Sequence, residues 1–107
     1  MLVLIDLPAG DVTLCDPSDF TRFSVALEGE GDVGAVVRAT GLGRLADDGA
    51  HVVVDPAALR ALAGPAADDT WDRGFAGMCA YAAGRGWVDA GGGLLAHIEP
   101  SDGAQPG

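Results

Sequence analysis

The chain has 107 residues, sixteen acidic against six basic, a net charge of −10 and an apolar share of 49%. A chain this long can bury roughly two-thirds of its unfolded surface without metal or disulfide staples, so one α+β domain over 1–99 is expected, followed by a disordered tail at 100–107. The charge, with no basic stripe to offset it, argues against nucleic acid and against an anionic membrane as partners.

Every base is arginine, and neither lysine nor asparagine occurs. That is the vocabulary of GC-rich codons, with a salt-adapted acidic surface as the alternative. The opening "MLVLIDLPAGD" lacks a basic n-region, and its apolar run is too short for a signal peptide or a membrane span. A cytoplasmic location is therefore expected, with Cys15 and Cys79 as reduced thiols.

In chain order, "MLVLIDL" and "VTLC" flank the turn cluster "PAGD" and predict a β-hairpin. "DPSDF" at 16–20 predicts a turn or a single helical turn. Residues 21–28 alternate Phe23, Val25 and Leu27 against Arg22, Ser24 and Ala26, the pattern of a half-buried strand. Val33, Val36 and Val37 then fall at helical spacing behind Asp32 as N-cap, with Gly41 as the stop. "HVVVD" at 51–55 predicts a strand. Asp55-Pro56 opens "PAALRALAG", where cap, N1 proline and terminal Gly64 punctuate a helix. Pro65 to Asp69 is a loop, and Asp68 or Asp69 caps a long helix at about 70–85. Gly86 ends that helix, and "WVDAGGGLLAHIE" predicts a hairpin around the glycine run, with Leu94, Ala96 and Ile98 on one face and Leu95, His97 and Glu99 on the other.

The expected architecture is a largely antiparallel sheet packed against one principal helix, with one or two short helices besides. At about 100° per residue, Trp71, Phe75, Met78 and Ala82 lie within about 40° of Trp71 and form the core stripe of that helix. Its opposite side holds Ala76, Gly77, Ala80, Ala83 and Gly84. Each interior glycine costs about 1 kcal/mol relative to alanine, which close backbone approach would justify at 74, 77 and 84. Gly77, Ala80 and Gly84 are thus a candidate interface, covered by residues 56–63, by the same helix of a second copy, or by nothing.

Chemistry has few candidates. "GEGDVG" (29–34) matches G-x-G-x-x-G in strand–helix context with Asp55 downstream. Glu28, Glu30 and Asp32 would repel a pyrophosphate, so a turn before a short helix is the better reading. His51 and His97 stand 46 residues apart with no metal-ligand motif, so no metal or other cofactor is expected. Cys79 reads as a buried, inert thiol, and no serine sits in a nucleophile motif. A ligand wall is conceivable from Tyr81 and Arg85 on the helix flank to Trp87 and His97 on the hairpin, holding a small anionic or aromatic molecule on Arg85 and Trp87. No catalytic residue is assigned.

The string Trp71, Phe75, Met78, Tyr81-Ala82, Gly86-Trp87 and Ala96-His97-Ile98-Glu99 resembles small uncharacterised proteins of high-GC Gram-positive bacteria, the actinobacteria. The resemblance covers about the last third of the chain and implies no activity. Two functions are expected: a non-catalytic accessory or interaction protein, self-associating as a homodimer or binding another protein; or a small-molecule binder, or small enzyme, built on Tyr81, Arg85, Trp87 and His97.

Overall fold

A computed structural model describes residues 1–89 and 91–99; the tail expected at 100–107 lies outside them. Six strands form one sheet in the order β2-β1-β3-β6-β5-β4: β1 (Leu2–Asp6), β2 (Asp11–Cys15), β3 (Ser24–Glu28), β4 (Gly43–Leu45), β5 (His51–Val54) and β6 (Leu94–Glu99). Helix α1 (Val33–Ala39) follows β3; α2 (Pro56–Ala63), a 3₁₀ turn (Gly64–Ala66) and α3 (Asp69–Gly84) lie between β5 and β6.

The helices start where short acidic side chains can satisfy orphan amides. Asp32 Oδ1 accepts from the Ala35 amide at 3.1 Å, Asp55 Oδ1 from Ala57 at 3.0 Å and Asp68 Oδ1 from Trp71 at 2.8 Å. Each such cap stabilises its helix by about 1 kcal/mol. The predicted punctuation of all three helices is thus met, Gly41 and Gly64 included, both with positive φ just past the last turn.

The sheet is largely antiparallel, as expected, though not purely so, and the single covering helix needs correction. The β1–β2, β4–β5 and β5–β6 pairings are antiparallel, but β3 runs parallel to both its neighbours, β1 and β6. The sheet is therefore mixed, mostly antiparallel, with its parallel part at the centre. Nor does one helix provide the cover: α3 is the longest, but Val37 of α1 and Leu59 of α2 are completely buried in the same core as Trp71 and Met78 of α3. Short helices suffice there because each buries one large apolar side chain completely and packs others beside it, Val33 and Val36 on α1 and Leu62 on α2.

Strand alternation divides the sheet into two unlike faces. Val3 and Ile5 of β1, Val25 of β3, Ala96 and Leu94 of β6, and Val52 and Val54 of β5 point to the helices and form one cluster with them. By register, Leu2, Leu4, Ala26, Leu95, Val53, His51 and His97 occupy the opposite face. The Asp89–Gly93 turn covers Val53 there. Its shape is set by Asp89 Oδ1, which accepts from the Gly91 and Gly93 amides at 3.0 and 2.7 Å, while Asp89 Oδ2 accepts from Arg44 at 3.0 Å. The Gly93 amide, above all, holds the Asp89 carboxyl below its ordinary pKa.

The glycine run makes a tight turn rather than a full hairpin: Val88 forms a single bridge with Leu94 before β6 proceeds. "GEGDVG" is also a turn. Gly29 has φ +73° and packs against Pro8, Asp32 is the cap, and α1 leads to β4 at the far edge of the sheet instead of a parallel neighbour of β3. That connection builds no βαβ unit.

Candidate binding site

Trp87 is placed by the way α3 ends. The Gly86 amide donates to the Ala83 carbonyl at 3.2 Å and the Trp87 amide to that of Ala82 at 2.8 Å, with Gly86 at φ +77°. This paired bonding past the last turn reverses the chain and needs a residue that tolerates positive φ. The Trp87 carbonyl then accepts from Leu95 at 2.8 Å, tying the same residue to β6. An indole held at both backbone ends projects from a rigid base, although the residue is 44% exposed.

Three of the four residues singled out for a ligand gather here. The Arg85 guanidinium lies 5.1 Å from the Trp87 ring centre and 5.9 Å from that of Tyr81, and the two rings meet edge-on at 6.0 Å. Tyr81 is 61% exposed. His97 stands across Trp87 from this group, against a different partner: its ring centre is 5.4 Å from that of His51. Trp87 thus separates two hollows. One, of about 90 Å³, is apolar and lined by Phe20, Phe23, Met78, Tyr81, Leu94 and Trp87. The other, of about 220 Å³, is lined by Phe23, His51, Trp87, Leu95 and His97.

Sequence reading missed Phe20, Phe23 and His51. Phe20 reaches the cleft because the 16–23 segment is fastened to α3: Trp71 Nε1 donates to the Pro17 carbonyl at 2.7 Å, and Phe20 sits edge-on to Trp71 at 5.8 Å. Trp71 also stacks on Phe75 at 4.7 Å. The Phe20 ring lies directly over Gly74, where a Cβ would collide with it. Close approach therefore explains one of the three helix glycines.

It does not explain the other two. Gly77, Ala80 and Gly84 are exposed, and a Cβ at 77 or 84 would meet nothing within 4 Å. The expectation that residues 56–63 cover this flank is corrected: α2 is joined to the start of α3, where Arg60 forms a forked pair with Asp72 at 2.9 and 3.0 Å, and never reaches the Gly77–Gly84 stretch.

The remaining chemistry is sparse. Cys15 and Cys79 are unbonded and half-buried, and burial pushes the Cys79 thiol pKa up, which keeps it protonated and unreactive. Among the described residues no three metal-ligating side chains of the His, Cys, Asp and Glu types cluster, and no helix is long and apolar enough to cross a membrane. No family model, curated protein or solved structure matches this chain.

Proposed function

We propose that this chain is a small, acidic accessory protein of the cytoplasm that acts by binding protein, in the first instance a second copy of itself. One observation carries the reading: Tyr81, Arg85 and Trp87 stand exposed and in mutual contact beside an open apolar cleft. Trp, Tyr and Arg are the residue types that dominate binding energy at protein interfaces, because each buries a large rigid surface at low entropic cost. The size of the cleft favours the same reading. At about 90 Å³ it is smaller than the roughly 150 Å³ cavity that takes up benzene, and far below the roughly 300–1,000 Å³ of sites for drug-sized ligands. It suits one aliphatic side chain of a partner. Two unbonded cysteines fit a reducing compartment.

Sedimentation equilibrium of the tag-free chain tests this. Wild type is expected to show a concentration-dependent dimer, and the Tyr81→Ala/Trp87→Ala double variant a monomer with an unchanged circular dichroism spectrum. A wild type that stays monomeric at all concentrations rejects self-association.

A second reading, a small-molecule site among Tyr81, Arg85, Trp87 and His97, has in its favour that Trp87 borders both hollows. A thermal-shift screen against metabolites distinguishes it: a ligand that stabilises wild type and not Arg85→Ala would displace the first reading.

A further inference from the structure

The two histidines of this chain, 46 residues apart in sequence, occupy directly opposed positions on β5 and β6. The kind of opposition matters. The His51 carbonyl accepts from the Ala46 amide on the β4 side at 2.8 Å, and the Ile98 amide donates to the Ala50 carbonyl at 3.0 Å. Residues 50 and 98 are therefore the hydrogen-bonded pair of the ladder, and His51 and His97 the non-bonded pair, in which side chains on one face approach most closely. Their ring centres lie 5.4 Å apart, with the planes at 67°.

That spacing is compatible with a shared ion. With metal–nitrogen bonds of about 2.0–2.1 Å and a tetrahedral or square angle between them, two imidazoles on one ion hold their ring centres about 5 Å apart. His51 also carries the second layer of such a site. Its Nδ1 meets Asp48 Oδ2 at 2.8 Å, while Asp48 Oδ1 accepts from the Ala50 and His51 amides at 2.9 and 3.2 Å. The Ala50 amide first, and then the His51 ring, hold the Asp48 carboxyl below its ordinary pKa. A carboxylate only accepts, so His51 Nδ1–H is the donor in that contact. The Nε2 lone pair of His51 is left for a metal, the orientation that carboxylate–histidine–metal triads use.

We propose that His51 and His97 form a two-imidazole site for a divalent late transition-metal ion such as nickel or zinc, with Asp48 orienting His51. Imidazole nitrogen suits these ions and not magnesium or calcium. The hollow of about 220 Å³ over the pair, walled by Phe23, Trp87 and Leu95, has room for the ion and for waters of roughly 30 Å³ each to complete its shell. A net charge of −10 raises the local concentration of cations. With two protein ligands the ion keeps open positions, so the site is exchangeable rather than structural.

Isothermal titration of the tag-free chain with nickel and with zinc chloride, in a buffer that does not chelate, tests the assignment. Wild type is expected to bind one ion per chain. His97→Ala and His51→Ala are each expected to weaken binding by about 100-fold, since chelation is lost, and Asp48→Ala by about tenfold through the freed His51 ring. His97 is exposed, so its variant keeps the fold, which circular dichroism checks. The cobalt form is expected to show d–d bands without the near-ultraviolet charge-transfer band of a thiolate ligand. No saturable binding by wild type, equal binding by His97→Ala, or a thiolate band would each overturn the proposal.

Discussion

The two faces of the sheet are made from the same six strands and do different work. On the helix side, Val3, Ile5, Val25, Val52, Val54 and Ala96 are completely buried. On the other, Leu2, Leu4, Ala26 and Leu95 are half-buried, and the histidines stand among them. In most antiparallel sheets one face is packed and the other solvated, with polar side chains outward. Here Leu2, Leu4, Ala26 and Leu95 make much of the outward face apolar, and the polar Ser24, His51 and His97 gather in one row across β3, β6 and β5. Stability resides on one face, and the other face with its Trp87 rim is the less covered one.

The widest gap should appear at the packed face. Trp71→Ala removes the stacked ring, the anchor of the 16–23 segment and a buried hydrogen bond, and is expected to cost about 3–5 kcal/mol in urea unfolding. Trp71→Phe keeps the ring against Phe75, loses the bond to Pro17, and should cost about 1–2 kcal/mol. Next comes a paired test on one strand. Ile5→Ala should cost about 2–5 kcal/mol and its neighbour Leu4→Ala about 1 kcal/mol or less. If both cost the same at high protein concentration, a second layer covers the outer face in solution.

Much of this architecture could be read from the residues, and the exceptions have physical causes. The helix starts were legible because Asp32, Asp55 and Asp68 sit where a short carboxylate reaches an amide two or three residues on. The β1–β2 hairpin and the facing of β6 were legible because both are local alternations. Strand order was not, since β3 finds its parallel partners through Val25 and Ile98, residues far apart in the chain. Strand β4 is three residues, "GRL", too short to show a period. At the site, Tyr81, Arg85 and Trp87 belong to one helix end and could be grouped from the wheel. The His51–His97 pairing needs the β5–β6 register: His97 showed the alternation of an outward-facing position, whereas the run of valines after His51 shows no alternation. Phe20 needed the Trp71–Pro17 bond, which no local pattern announces.

Helix α3 offers a smaller contrast of the same kind, with opposite signs. Gly77→Ala adds a methyl group into open space and is expected to raise stability by about 0.5–1 kcal/mol. Gly74→Ala pushes on the Phe20 ring and should lower it, with altered tryptophan fluorescence as Phe20 shifts beside Trp71. A destabilised Gly77→Ala that also dissociates a dimer would place a partner on that flank.

The smallest effect is set by pH. Asp72, through Arg60, and Asp48, through the Ala50 amide, have pKa values below their ordinary one in the folded chain. A lowered folded pKa stabilises above the unfolded value of about 3.9 and is lost as pH falls through and below it. The melting temperature should therefore hold from about pH 7 to 5 and decline below about 4. Asp72→Asn should make that decline shallower, as differential scanning calorimetry would record.

Strand β4 has one more consequence. It lies at the margin of the sheet and is three residues long, with Arg44 exposed at its centre. At about 3.4 Å per residue it offers an incoming chain only about 10 Å of free backbone, and a charged side chain at that position discourages even this. On this border, growth into fibrils by strand addition has almost nowhere to begin.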